Sequence, residues 1–195
     1  MAVVSTPQGP AKSVNLVGFV VMTVLALWKL EEPMPGLTAS HGASLGEAAA
    51  VCLESQHHQA GVIMQLERRA DTSIEVHWRS LPPNAYRCHT GDRATEDGAC
   101  GIAILLAWEL TGQVVLFRSE RKEGCDYWLG PANYPRHNGL KGMSRIEVSG
   151  IRGVSANFWS RYEVKRRQIN ALQHPSEKYI SIVEFGTPRA VLEKL

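Results

Sequence analysis

Two carboxylates stand where a strand pattern would set them side by side. Asp126 precedes an apolar run in "EGCDYWLG" (123–130), and Glu147 interrupts another in "SRIEVSGI" (144–151). Side chains alternate along a strand, so Asp126 and Trp128 share one face, as do Arg145, Glu147 and Ser149. If the two strands pair as a meander, both acids lie on one face within reach of a single cation. A hard divalent ion takes oxygen ligands, keeps several waters and is typically held by one or two carboxylates. So held, it can activate water and take up charge on a phosphoryl oxygen. The competing reading is a solvated sheet face, where one acid per strand is ordinary. The pattern leaves both open.

The flanking elements decide what else could reach those acids. "TEDGACGIAILLAWELTG" (95–112) is apolar almost all round and reads as a buried helix ending near Gly112. Glu96 and Asp97 fall in its expected first turn, where the helix dipole favours acids. Glu96 also heads a stripe of small residues through Ala99, Cys100 and Ala103, so it can look along the sheet. Strands are expected at 113–119, 125–130 and 145–151, then a helix at 155–173 and a last strand at 179–185. In that second helix Phe158, Tyr162, Lys165, Ile169 and Leu172 recur at spacings of three and four. Lys165 therefore lies on the sheet-facing stripe, either at the acids or at the core's edge with its ammonium in water. Upstream, Ser44 and Glu47 form a capping box before a helix, and 61–67 with 73–79 read as a hairpin.

With 195 residues, 44% hydrophobic and 21% charged, the chain has the composition of one globular domain. A net charge of +2 carries no argument for nucleic acid by itself. Between Leu140 and Arg167, however, seven basic residues, among them Arg145, Arg161, Lys165, Arg166 and Arg167, face only Glu147 and Glu163. That stretch is suited to phosphate contacts, although "KRR" on a helix is more often a solvated face. The four cysteines are widely spaced and match no common zinc site, which fits reduced thiols in a cytoplasmic protein. Residues 14–28 are uncharged but shorter than a membrane span wants, so a membrane is not an expected partner. A docked helix, a weak anchor and translated sequence upstream of Met34 compete there, and the linker-like "EEPMPGLTASHG" (31–42) favours the last. The expected division is thus 1–36 as an apolar segment and linker outside the fold, and 37–195 as one domain.

The order helix, three strands, helix, strand, with acids in the second and third strands, resembles the restriction-endonuclease-like nucleases named PD-(D/E)xK. The blocks "TEDGACGIA", "DYWLG", "RIEVSGI" and "VEFGTP" also look like those of a family of small bacterial proteins of unassigned activity. The resemblance spans about residues 37–190. It implies an α/β fold with a mixed central sheet flanked by helices, here preceded by a helix and β-hairpin elaboration. It further implies metal-dependent hydrolysis of phosphodiester bonds, with nucleic acid, DNA above all, as partner and magnesium or manganese as cofactor. Asp126 and Glu147 match the two metal-binding acids, and Glu96 matches an acid that many members carry on the first helix. Ser149 stands where the motif has its lysine, a departure that also admits a non-catalytic protein binding a protein partner in a bacterial defence or mobile-element system. Some members supply the lysine from the following helix, the place of Lys165. Arg145, Arg161, Arg166 and Arg167 are the expected phosphate contacts.

Overall fold

The apolar runs that read as strands do pair, and all join one sheet. The computed structural model describes residues 21–69, 72–120, 124–135, 139–171 and 175–195. The chain forms β1 (Val21–Ala26), a 3-10 helix (Leu27–Glu31), α1 (Ala39–Glu54), β2 (Val62–Leu66), β3 (Thr72–His77) and α2 (Ala85–Cys88). It continues through α3 (Gly91–Thr111), β4 (Val114–Arg118), β5 (Tyr127–Gly130), β6 (Ser144–Ile151), α4 (Phe158–Ala171), β7 (Glu177–Glu184) and β8 (Arg189–Lys194). Among the described residues the sheet has eight strands, in the order β1-β3-β2-β8-β7-β6-β5-β4. β4, β5 and β6 form an antiparallel meander, and β6 then pairs in parallel with β7 through the α4 crossover. The expected helix, three strands, helix and strand are α3, β4 to β6, α4 and β7. The protein is a mixed α/β structure.

Helices cover both faces of β6, which explains why that strand is buried along most of its length. On one face lies α3, so close that a methyl group at Gly150 would stand 2.4 Å from the Thr95 carbonyl oxygen. α3 also packs against α1: Gly98 meets the backbone of Ala49, and Gly101 that of Leu45. The glycines of "GACG" thus serve close packing, as their place inside an apolar helix suggested. On the other face α4 contributes Phe158 and Tyr162 to a small cluster with Ile180, Ile182 and Val191.

Four expectations need correction. Residues 21–36 belong to the fold: β1 pairs in parallel with β3 over its whole length, and Leu25 and Leu30 are fully buried. Their apolar character is that of core, and the prolines behind them only shape a tight bridge between Met34 and Leu37. Residues 1–20, the rest of that expectation, lie outside the described residues. α1 starts at Ala39 with Thr38 as cap, its hydroxyl accepting from the His41 N–H at 3.3 Å, so Ser44 is interior rather than a cap. α3 begins at Gly91, which moves Glu96 and Asp97 out of the first turn and leaves Asp92 there. Finally, 179–185 is not the last strand. β8 follows it, pairs with both β7 and β2, and so joins the amino-terminal hairpin to the central sheet. Among the described residues no helix is long and apolar enough to cross a membrane.

Candidate active site

The register settles where the two acids lie. Tyr127 pairs with Ile146, which brings Asp126, one residue ahead of β5, beside Glu147. The Asp126 N–H donates to the Ile146 carbonyl at 2.9 Å and ties it to β6 at the end of the ladder. Its side chain then turns into the plane of the sheet, where Oδ2 accepts from the Val148 N–H at 2.7 Å. Glu147 points instead to the α4 face, where Oε1 accepts from Lys165 Nζ at 2.5 Å. Each carboxylate has one oxygen engaged; Asp126 Oδ1 and Glu147 Oε2 carry no hydrogen bond among the described residues.

A cleft of about 480 Å³ opens over this strand end. Glu96, Arg118, Asp126, Ser149, Arg161 and Lys165 all line it. Burial raises the Asp126 carboxyl above the ordinary aspartate range, and the charge of Glu96 adds to that, against the pull of Val148, Lys165 and Arg118. Burial likewise raises Glu147, reinforced by repulsion from Asp126 and opposed by Lys165. Both acids therefore sit in a place that favours a further cation. The donors fit magnesium or manganese, since they are hard carboxylate oxygens, two of them free.

The thiol, phenol and serine hydroxyl of the cleft are not activated as nucleophiles among the described residues. Burial pushes the Cys100 thiol and the Tyr127 phenol far above their usual ranges, so both stay protonated at neutral pH. Ser149 has no base beside it: its Oγ accepts from Arg161 Nη1 at 3.3 Å, and a guanidinium cannot take a proton. Among the described residues the lining holds no histidine.

Asp126, Glu147 and Lys165 are thus brought together, with Arg161 one helical turn from Lys165. Glu96 comes to the same cleft, but among the described residues no three His, Cys, Asp or Glu side chains gather closely enough to share an ion. Its part there is that of a charged neighbour to a two-carboxylate pair. Arg145 does not belong to the surface at all. It is 2% exposed, donates from Nε to Ser176 Oγ at 2.8 Å and lies 5.9 Å from the Trp128 ring centroid. β6 is covered on both faces, so alternation along it marks two buried sides, and Arg145 cannot meet a phosphate. Arg166 and Arg167 stand on the exposed side of α4, bonded to the Glu163 side chain and carbonyl, away from the cleft. One cleft cation was missed. Arg118 ends β4, where a terminal arginine reads as a solvated strand end; Arg152, one of the seven basic residues of the 140–167 stretch, follows β6 and is brought to the cleft by the turn after the strand.

No family model, curated protein or solved structure matches the chain.

Proposed function

We propose that the protein is a metal-dependent nuclease that hydrolyses phosphodiester bonds of nucleic acid at the Asp126–Glu147 pair. The observation that carries this reading is the contact of Lys165 with Glu147 at 2.5 Å, beside Asp126, whose carboxylate accepts from the next residue's N–H, that of Val148. It joins in one place the two acids and the cation that hydrolysis of this kind asks for. The order α3, β4 to β6, α4, β7 is also the order on which the resemblance to restriction-endonuclease-like proteins rests.

Asp126 and Glu147 would hold magnesium or manganese through their free oxygens, and the ion, when bound, supplies an acidified water and charge compensation at a phosphoryl oxygen. The chain's own groups do the rest. Val148 holds the Asp126 carboxylate in the sheet plane and fixes which oxygen faces the cleft. Lys165 takes the place left by Ser149 in the motif: an ammonium at Glu147 can orient the attacking water and take up developing negative charge. Arg161, steadied by Ser149, presents a guanidinium to a phosphate. Walls of α3 and α4 keep the pair recessed, which strengthens each of these interactions relative to open water.

A labelled nucleic acid incubated with the protein should be cut in magnesium or manganese and remain whole in EDTA. Persistence of cutting in EDTA, or an intact substrate with either metal, would contradict the reading. One observation favours a second reading, a nuclease-fold protein that binds a partner without catalysis. Lys165 already neutralises Glu147, and among the described residues Glu96 does not complete a three-ligand group. Intact substrate in both conditions is the result that reading expects.

A further inference from the structure

Cations flank Asp126 on both faces of the sheet. Arg118 pairs with Tyr127 in the ladder and so projects on the face covered by α3. Arg161 and Lys165 come from α4 on the opposite face, at Ser149 and Glu147. All three line the cleft, which therefore straddles the end of the sheet rather than lying on one side of it. A second depression of about 310 Å³ runs along α4 between Asn157, Ser160, Val164 and the same two residues, Arg161 and Lys165. Arg161 and Lys165 line both depressions, which therefore adjoin across these two side chains and give a track over the sheet end. Arg118 and Arg161 are exposed, and Val164, 45% exposed, gives the track an apolar flank.

We infer that this track takes a single strand of nucleic acid, its backbone crossing the end of the sheet with phosphates at Arg118 on one side of Asp126 and at Arg161 on the other. The inference rests on the nuclease reading and adds the substrate class. Two arguments favour a single strand over a duplex. The acid pair is recessed, with Glu147 only 8% exposed between two helices. A duplex, stiff over about 150 base pairs, cannot fold a phosphate into such a recess without being kinked or opened. A flexible strand bends in freely. Arg152, the fourth cation of the cleft, is bonded to the Gly91 carbonyl and to Ser55 Oγ, which leaves Arg118 and Arg161 as the exposed pair, enough for one backbone in a groove.

Binding without metal tests this apart from cleavage. Fluorescence anisotropy in EDTA at low salt should show a labelled oligothymidylate of about 20 nucleotides binding at least ~10-fold more tightly than a blunt duplex of that length. Arg118→Ala and Arg161→Ala should each weaken single-strand binding several-fold and reduce the slope of log K against log salt by about 0.7. Both side chains are exposed, and unchanged thermal melting will show that the fold is intact. Arg166→Ala and Arg167→Ala, which lie off the track, should leave binding near the wild-type value. Duplex binding as tight as or tighter than single-strand binding would overturn the track, as would an equal loss from Arg166→Ala or Arg167→Ala. If metal-dependent cutting of a duplex persisted alongside either result, the nuclease reading would stand without this substrate class. No binding of either probe would overturn the track, and the cutting assay in magnesium or manganese would then decide the nuclease reading by itself.

Discussion

A chain shortened to begin at Met34 should not fold. The deletion removes β1, which pairs along the whole of β3, together with the 3-10 helix that follows it. Leu25, Leu27 and Leu30 go with them, all nearly or fully buried. At about 1.5–3 kcal/mol for each buried leucine, the loss reaches roughly 5–9 kcal/mol, comparable with the entire stability of an ordinary domain. The contact cannot be replaced by solvent or by a shift of α1. That helix approaches so closely at Gly42 that even a methyl group would stand 1.8 Å from the Leu30 carbonyl oxygen. Circular dichroism of the shortened chain should show no cooperative thermal transition. Leu30→Ala, a milder change, should lower stability by about 2–5 kcal/mol. A shortened chain that melts cooperatively near the full-length temperature would show that β1 is an accessory.

The second large effect separates two residues of the candidate site that cleavage alone would not. Lys165→Met and Asp126→Asn should each reduce cleavage on the order of 10³-fold, since one removes a charge-stabilising cation and the other a metal-binding acid. Their effects on the metal-free protein should have opposite signs. Lys165→Met leaves the Glu147 carboxylate buried without its cation, which should cost about 3–5 kcal/mol. Asp126→Asn keeps an acceptor for the Val148 N–H while removing the repulsion on Glu147, and should raise the melting temperature near neutral pH. The pH dependence follows from the direction of the shifts. Both carboxyls are raised in the folded state, so the stability they contribute is complete below the ordinary carboxylate range and is lost as pH rises through the raised values. The gain from Asp126→Asn should therefore shrink on acidification and vanish below about pH 4, near the unperturbed aspartate value. Melting curves in EDTA between neutral and acidic pH will show it. A gain that grows toward acid would mean that Asp126 is stabilised by its surroundings rather than crowded by them.

Much of this site was legible in the chain because period and spacing carry local geometry well. The alternation around Asp126 and Glu147 is enough to make them neighbours, and the spacing from Phe158 to Ile169 is enough to turn Lys165 toward the sheet. What spacing cannot carry is depth. Arg145 has the same alternation as Glu147, yet lies under cover because β6 is central and both of its faces are packed. The same blindness hid β8, whose apolar centre "AVL" is only three residues between Arg189 and Glu193 and becomes a strand through its neighbours on both sides. It also misassigned residues 21–36. Their apolar run is too short to span a membrane and is followed by prolines, so only the partner strand β3 reveals it as sheet. Arg118 entered the cleft unseen for a related reason: its role comes from standing across from Tyr127, a non-local pairing.

The central claim is that Asp126 and Glu147 share a divalent ion, and calorimetric titration of manganese into the wild-type protein and Asp126→Asn tests it most directly. Only the folded chain presents both acids together, so the pair should bind one ion in the wild type. Asp126→Asn, which preserves the shape and the Val148 contact, should abolish that binding. Equal binding by the two proteins, or none by the wild type, would contradict the account.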